Sequence, residues 1–268
     1  MSYDSSSEPA AAVSALVFDG VRKSFGKSLA LDAFSLHVAQ GQSFGLAGMN
    51  GAGKTTLIKC LLDFCAGDAG RIEIFGVSHH LTASRSRLAF LPERFQPPYY
   101  LTGRDFLRYM LKLQDLSYDG AEAAEMLQAL DLDLSALIKP VRTFSKGMTQ
   151  KLGLAACFLS RKDLYILDEP TSGLDPKARA LLKQRLRVLR EQGHTIFFTS
   201  HSLADVEEIC DSMAVIHRGR LRETLNGTAL LVARVDGVAA AIEHPAINNR
   251  FPYAPAVAIG AALVALGL

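Results

Sequence analysis

A glycine-rich segment with one lysine has the spacing of a loop that binds phosphate groups. It runs from Gly48 to Thr55 and reads Gly-Met-Asn-Gly-Ala-Gly-Lys-Thr. An apolar run precedes it and a helical pattern follows, so the loop is predicted to join a strand to a helix N-terminus, where backbone N–H groups and the helix dipole attract anions. Lys54 is expected to reach the β- and γ-phosphates, and the Thr55 hydroxyl to bind Mg²⁺. The other residues predicted to bind nucleotide here are Asn50, Gly51, Ala52, Gly53 and Thr56.

Two adjacent carboxylates follow a second apolar run. Asp168 and Glu169 come directly after Leu164-Tyr-Ile-Leu167. A buried strand would carry both carboxylates to the C-terminal edge of a sheet, beside the phosphate-binding loop. There Asp168 would hold Mg²⁺ and Glu169 would orient or deprotonate the attacking water. The alternative is that they are two ordinary loop acids.

One histidine lies at a similar place in the pattern. His201 follows the apolar run 195–199, so it is expected at the same sheet edge. An imidazole there could donate a hydrogen bond to a γ-phosphate oxygen and respond to its loss. A histidine after a strand can also be a loop residue without a functional role.

The elements that must position these residues alternate between strand and helix. Short apolar runs predict strands, and 3.6-residue periodicity predicts helices, so we expect an α/β fold with a mostly parallel sheet. The closely spaced early strands predict an attached antiparallel sheet, and residues 102–161 predict an inserted helical subdomain. The predicted strands are 14–19, 33–38, 43–47, 71–75, 87–91, 164–167, 195–199 and 213–216, and the predicted helices outside the insertion are 55–63, 176–192 and a short one from 202.

Composition bounds the function further. The 268 residues carry 29 basic and 27 acidic side chains, so the chain lacks the strong basic excess expected of a protein whose main partner is a nucleic acid. Four cysteines without a framework pattern indicate a reduced, intracellular protein. Residues 1–12 are predicted to be a disordered leader rather than a signal peptide. The uncharged segment 251–268 is predicted to pack on the domain or on a partner, or to stay poorly ordered. A membrane-spanning helix is the alternative, although its two prolines would break the first part of such a helix.

Taken in order, these motifs resemble those of the nucleotide-binding subunit of ABC transporters, from about residue 13 to 225. Residues 48–56 resemble the Walker A loop and 164–169 the Walker B strand, while 144–150 (Phe-Ser-Lys-Gly-Met-Thr-Gln) is similar to the signature motif. Residues 172–175 are similar to the D-loop and His201 to the switch histidine. Phe25 matches the aromatic position that stacks on adenine. The resemblance implies a P-loop NTPase core that hydrolyses ATP with Mg²⁺.

Two positions depart from the family pattern. Lys146 replaces a glycine of the commonest signature, as in the exporter-like branch, while Ser145 and Gly147 are retained. Glu93 stands where the Q-loop has glutamine. A carboxylate lacks the amide donor but can accept a hydrogen bond or contact Mg²⁺, so Glu93 is kept as a candidate nucleotide and metal contact.

The resemblance also implies partners. Two copies would form a head-to-tail sandwich in which Ser145 and Gly147 of one chain complete the ATP site of the other. Asp175, at the end of the segment similar to the D-loop, is kept as a candidate nucleotide contact. Ser145 and Asp175 are at the same time predicted helix N-caps. A separate permease would dock on the helical subdomain and the loop 93–100, and hold the subunit peripherally on the cytoplasmic face of the cell membrane, with export the expected direction. The alternative for the prolines and tyrosines of that loop is a rigid turn without a partner. The expected division is an ATPase domain over 13–227, with a helical subdomain over about 95–160, and a C-terminal extension over 228–268.

Two other functions are weighed beside this one. A soluble ABC-type ATPase acting on ribosomes or nucleic acid would fit the motifs, although the chain has a single phosphate-binding loop, no internal repeat and balanced charge. A metal-binding accessory protein could use Cys60, Cys65, His79 and His80. The five-residue spacing of the two cysteines favours buried thiols instead.

Overall fold

The computed structural model describes residues 14–225, which form two β-sheets with helices around them. The predicted leader 1–12, the extension 228–268 and the apolar segment 251–268 lie outside these residues. Within the described chain, no helix has both the length and the apolar character needed to cross a membrane. The strands are β1 Ser14–Phe25, β2 Ser28–Ala39, β3 Ser43–Ala47, β4 Ala69–Ile74, β5 Val77–Ser78, β6 Leu88–Leu91, β7 Leu164–Asp168, β8 Thr195–Ser200, β9 Ser212–His217 and β10 Arg220–Leu225. The α-helices are α1 Lys54–Leu61, α2 Thr82–Arg85, α3 Gly103–Lys112, α4 Gly120–Ala129, α5 Lys146–Leu159, α6 Pro176–Glu191 and α7 Leu203–Ile209.

The larger sheet has six strands in the order β10-β9-β3-β8-β7-β6. All neighbours from β9 to β6 are parallel, and β10 pairs antiparallel with β9. Every residue of β3, β7 and β8 is buried, because helices and the second sheet cover both faces. This explains why these strands are continuous apolar runs in the sequence, and it confirms the predicted α/β fold with a mostly parallel sheet.

The smaller sheet is antiparallel, in the order β2-β1-β4-β5, which confirms the predicted antiparallel subdomain. One face of it packs on α1 and the larger sheet. The ring centroids of Phe18 in β1 and Phe197 in β8 lie 6.2 Å apart, and both residues belong to one core cluster with Leu57 of α1. This packing fixes the helix that begins at the phosphate-binding loop against two sheets at once.

Between β6 and β7 the chain is helical. Helices α3, α4 and α5 and two 3₁₀ turns, Leu134–Leu137 and Val141–Thr143, surround one apolar cluster. Helix α5 is buried continuously from Gln150 to Leu159, because it lies between the other helices and the larger sheet. Its N-terminal end is therefore held in a fixed position.

The elements that differ from prediction are short or polar. The last buried strand predicted, over 213–216, lies within β9, and an unpredicted strand, β10, follows it and pairs with it through a turn at Arg218 and Gly219. Strand β10 alternates exposed and half-buried residues as the edge of the sheet, so it lacks an apolar run. Strand β5 and helix α2, with two and four residues, have no periodicity to detect.

Candidate active site

The loop between β3 and α1 has the backbone geometry that the glycine spacing predicts. Gly51 and Gly53 have φ angles of 79° and 115°, a region that side-chain-bearing residues rarely adopt. At Gly48 a Cβ atom would lie 2.7 Å from the carbonyl oxygen of Ile216. The loop can pass between β9 and α1 only because these positions carry no side chain.

Lys54 begins helix α1 and is almost fully buried, at 6% exposure. Its ammonium donates to the carbonyl oxygens of Gly48 at 2.5 Å and Met49 at 3.5 Å. It also lies 3.3 Å from Oε1 of Glu169, as an ion pair without the alignment of a hydrogen bond. The loop thus closes around its own lysine and brings it to the acidic residue after β7.

Asp168 ends β7 and is held by two threonine hydroxyls. Thr55 donates to Oδ2 at 3.2 Å and Thr199 donates to Oδ1 at 2.6 Å. Burial raises the pKa of Asp168, the nearby charges of Glu169 and Glu93 raise it further, and the two hydroxyl bonds oppose the shift. Among the described residues, the buried Asp168 carboxylate therefore has no ion-pair partner. The atoms here that could bind a metal ion, in Asp168 and Thr55, are all hard oxygens. A Mg²⁺ ion fits that donor set.

Glu169 follows in a strained conformation, with φ at 50°. Its N–H lies 3.2 Å from both the carbonyl oxygen and the hydroxyl of Thr199 on β8. The side chain is buried, and Oε2 lies 2.7 Å from Nδ1 of His201. The strained turn directs the carboxylate back between Lys54 and the histidine rather than along the strand.

His201 lies just past the end of β8, at the sheet edge that the sequence predicts. Its Nδ1 contacts the Glu169 carboxylate, and most of the side chain is exposed. The hydrogen bond to a γ-phosphate oxygen stays a prediction.

A cavity of about 360 Å³ opens beside these groups. It contains most of the phosphate-binding residues predicted from sequence, together with Glu93 and Glu169. The lining residues are Ala30, Met49, Asn50, Gly51, Gly53, Lys54, Thr55, Thr56, Glu93, Arg94 and Glu169. Ala52, also predicted, is buried beneath the loop, where its carbonyl oxygen accepts from the N–H of Gly219.

Three residues at this site were not predicted from the sequence. Ala30 of β2 and Arg94 line the cavity, and Thr199 bonds Asp168 from β8. Arg94 follows the candidate residue Glu93 in the sequence, which indicates where Arg94 lies but not what it does. Ala30 and Thr199 carry no sequence signal of a role, because an alanine has no functional group and a threonine is an ordinary strand residue.

Besides Ala52, four predicted nucleotide-binding residues do not line this cavity. Phe25 ends β1 with its ring 53% exposed and 5.3 Å from the Lys23 ammonium. Ser145 caps α5 by accepting from the N–H of Met148 at 3.2 Å. Asp175 caps α6 in the same way, with Pro176 at the first turn, so both predicted N-caps are present.

Gly147 is the fourth of these residues, and it lies against the segment that follows Asp168 and Glu169. A Cβ atom there would be 3.0 Å from the carbonyl oxygen of Gly173. The neighbouring Lys146 donates to the Ser172 hydroxyl at 3.1 Å. Gln150 donates to the carbonyl oxygen of Pro170 at 3.2 Å. The first turn of α5 is therefore attached to residues 170–173 of the same chain.

A second, larger cavity of about 920 Å³ lies between the segment after β6 and the start of α5. Its lining includes the exposed Tyr99, whose ring meets that of the adjacent, also exposed Tyr100 edge to face at a centroid distance of 5.7 Å. Glu93 and Arg94 line both cavities. The full lining is Glu93, Arg94, Phe95, Gln96, Pro97, Pro98, Tyr99, Val141, Phe144, Lys146, Thr149 and Gln150.

Comparison with known proteins agrees with this geometry. An uncharacterized ABC transporter ATP-binding protein of Synechocystis is 40% identical over 195 residues, covering 71% of this chain and 55% of the relative. A Nod factor export ATP-binding protein I of Paraburkholderia xenovorans is 37% identical over 215 residues, covering 77% and 69%. The chain thus spans between about half and two thirds of these relatives.

A solved structure has the same fold. It is a dimeric ATP-binding cassette in a post-hydrolysis state with ADP and Pi, with a TM-score of 0.73 at 19% identity, covering 79% of this chain and 98% of the other. The family model described as ABC transporter matches residues 31–172, which include the phosphate-binding loop, both acids and the first turn of α5. The chain belongs to the ABC transporter family and contains its ATP-binding domain.

Proposed function

We propose that this chain is the ATP-hydrolysing subunit of an ABC exporter. The observation that carries the proposal is the convergence of four groups. Lys54, Thr55 and Glu169 line one cavity, Thr55 donates to Asp168 at 3.2 Å, and Lys54 lies 3.3 Å from Glu169. An ammonium, a hydroxyl and two carboxylates around a glycine-rich loop provide charge neutralisation, metal ligation and a base for phosphoryl transfer.

The residues that would hold Mg²⁺ are Thr55, Asp168 and Glu93. Thr55 and Asp168 are already in contact, and Glu93 lines the same cavity and contributes to the raised pKa of Asp168. Mg²⁺ would neutralise part of the phosphate charge when bound. Lys54 would move from the carbonyl oxygens of its loop to the phosphates, since its ammonium lies at the cavity wall.

Glu169 would accept the proton of the attacking water. Its carboxylate lies at the cavity wall between Lys54 and His201, and the φ of 50° fixes its direction. His201 orients that carboxylate and, once a γ-phosphate is present, is placed to exchange partners with it. Among the sequence-predicted site residues, these two form the catalytic pair of the proposal.

A second copy of the chain would complete the site. Ser145, Gly147 and Asp175 do not line the cavity of their own chain, yet Ser145 begins a 14-residue helix whose N-terminus attracts anions. In a head-to-tail dimer that end faces the γ-phosphate bound by the partner. Phe25 is exposed and available to stack on adenine.

The partner that receives the energy would be a membrane permease. The 920 Å³ groove has a wall of prolines and aromatic residues, the composition that anchors protein interfaces. One relative is named for export, which favours export over import. The subunit would then lie peripherally on the cytoplasmic face of the membrane, with an ATPase domain over 13–227, helices over about 95–160 in contact with the permease, and the extension 228–268 outside that domain. The rival partner, a ribosome or nucleic acid, is distinguished by what copurifies with the protein.

The test compares two lysines of helix α1. Lys54→Ala is expected to lower ATP affinity at least tenfold, because Lys54 is buried at the cavity, whereas Lys59→Ala on the exposed face is expected to bind normally. Glu169→Gln is expected to bind ATP and lose hydrolysis. Calorimetry and phosphate release measure the two properties. Equal affinity of the two lysine variants would refute the assignment of the phosphate-binding loop.

A further inference from the structure

Two adjacent histidines, His79 and His80, have no part in the proposed ATPase. They lie between β5 and α2, with ring centroids 3.9 Å apart. Asp63, just after α1, brings its carboxylate to the same place, and its Oδ1 is 3.0 Å from Nδ1 of His80. One possible ligand atom from each of the three residues lies within 4.8 Å of the other two. Among residues 14–225 this is the single group of three such side chains.

The ring of His79 is oriented as a metal-binding imidazole would be. It is buried, and its Nδ1 lies 3.1 Å from the carbonyl oxygen of Ile72, so Nδ1 carries the proton and donates. Nε2 is then the unprotonated nitrogen with a lone pair. A backbone carbonyl that fixes the tautomer in this way is the usual second contact of a histidine ligand.

The other two ligands combine a fixed backbone with adjustable side chains. Asp63 has φ at 60°, and its N–H donates to the carbonyl oxygen of Cys60 at 3.0 Å, so the carboxylate stays at the C-terminal end of α1. Helix C-termini attract cations. The His80 side chain is 60% exposed and can rotate. A tetrahedral site with bonds of about 2.0–2.1 Å needs ligand atoms about 3.4 Å apart, which side-chain rotation supplies.

We propose that Asp63, His79 and His80 bind a divalent transition-metal ion of the zinc type, with water as the fourth ligand. Two imidazoles and one carboxylate suit Zn²⁺ and leave one position open, whereas Mg²⁺ prefers oxygen ligands alone. The site lies at the opposite end of α1 from Lys54 and is separate from the nucleotide site.

The nearby thiols are not the ligands. The Sγ atoms of Cys60 and Cys65 lie 3.5 Å apart and contact each other. Burial raises the pKa of Cys60 to about 12, so its thiol stays protonated. A metal site is therefore assigned to the two histidines and Asp63, without the cysteines that the sequence pattern grouped with them.

Arg85 opposes metal binding and so provides a test. Its Nη1 lies 3.8 Å from Oδ2 of Asp63, and it also donates to the carbonyl oxygen of His79. Arg85→Gln removes the positive charge and keeps a donor. We expect it to tighten zinc binding about threefold, because a neighbouring positive charge at a partly exposed site opposes cation binding only modestly. Weaker zinc binding in this variant would contradict the site.

The experiment is calorimetric titration of the chelator-treated full chain with Zn²⁺ in excess Mg²⁺. We expect one site per chain, weakened at least tenfold in His80→Ala and Asp63→Asn and unchanged in His37→Ala, which removes an exposed histidine of β2. Asparagine tolerates the positive φ of residue 63, and circular dichroism checks that each variant is folded.

Three further results would overturn the proposal. Equal zinc affinity in the wild type, His80→Ala and Asp63→Asn would indicate an adventitious ion only. Loss of zinc binding in excess Mg²⁺ would indicate a hard-ion site. Sulfur neighbours in the zinc X-ray absorption spectrum would assign the ion to the thiols. None of these results depends on ATP hydrolysis, so the ATPase proposal stands or falls separately.

Discussion

Thr199 of β8 is the residue whose removal best tests how the site is built, because it touches both acids. Its hydroxyl donates to Asp168 at 2.6 Å and lies 3.2 Å from the N–H of Glu169, and it is fully buried. Thr199→Val keeps the shape and removes the hydroxyl. The N–H of Glu169 retains the Thr199 carbonyl oxygen at 3.2 Å, so the loss falls mainly on the Asp168 carboxylate.

The magnitude follows from the kind of bond that is lost. A hydrogen bond to a charged group contributes about 1.5–3 kcal/mol, so the unfolding free energy should fall by about 2 kcal/mol. For a domain of roughly 200 residues that lowers Tm by about 4–8 °C. The bond to Thr199 also lowers the pKa of Asp168, so its loss raises further a pKa that burial already raises.

The assays are thermal denaturation and the pH dependence of kcat/KM. Because metal binding needs the ionised carboxylate, the acid limb of the profile should move to higher pH. Thr195→Val is the matched control. Thr195 is equally buried on the same strand, but its hydroxyl accepts from the neutral N–H of Gly41, so it should cost about 1 kcal/mol and leave the limb unmoved. An unmoved limb in Thr199→Val would refute the reasoning.

Three further outcomes are expected. Gly48→Ala should lose about 1–3 kcal/mol in chemical denaturation, since its Cβ would lie 2.7 Å from the carbonyl oxygen of Ile216; wild-type stability would contradict this contact. Asp168→Asn should abolish Mg²⁺-dependent hydrolysis and raise Tm at pH 8 more than at pH 5. Folding raises the pKa of Asp168, so ionising this carboxyl group lowers the free energy of unfolding as pH rises through that pKa, and asparagine avoids the loss. A larger gain in Tm at pH 5 than at pH 8 would contradict this prediction. Replacing exposed Tyr99 and Tyr100 by serine should leave basal hydrolysis and stability within about 0.5 kcal/mol of wild type and reduce recovery in the membrane fraction; undiminished recovery would argue against the groove as the permease contact.

The parts of the molecule that sequence predicts are those where chemistry restricts residue type. The phosphate-binding loop needs glycine where φ is positive or a backbone approaches closely, so Gly48 and Gly53 are visible as a pattern. Strands buried on both faces, such as β7 and β8, are apolar throughout and therefore visible too.

The remainder depends on contacts between distant segments. Thr199 is an ordinary strand residue until β8 pairs with β7 and brings its hydroxyl to Asp168. The attachment of Lys146 to Ser172 spans 26 residues and follows from the packing of α5. Asp63 joins His80 only when β4 and β5 have folded back along α1. Composition and periodicity contain no information on such pairings.

The central claim is that one chain's Ser145 helix end completes the ATP site of a second chain. Sedimentation of Glu169→Gln with saturating ATP tests it, alone and combined with Ser145→Asp, since aspartate still caps α5 while its charge repels the γ-phosphate. We predict a species of twice the 29.0 kDa chain mass for the single variant and of one chain mass for the double variant. A single variant that stays at one chain mass, or a double variant that dimerises equally well, would contradict the account.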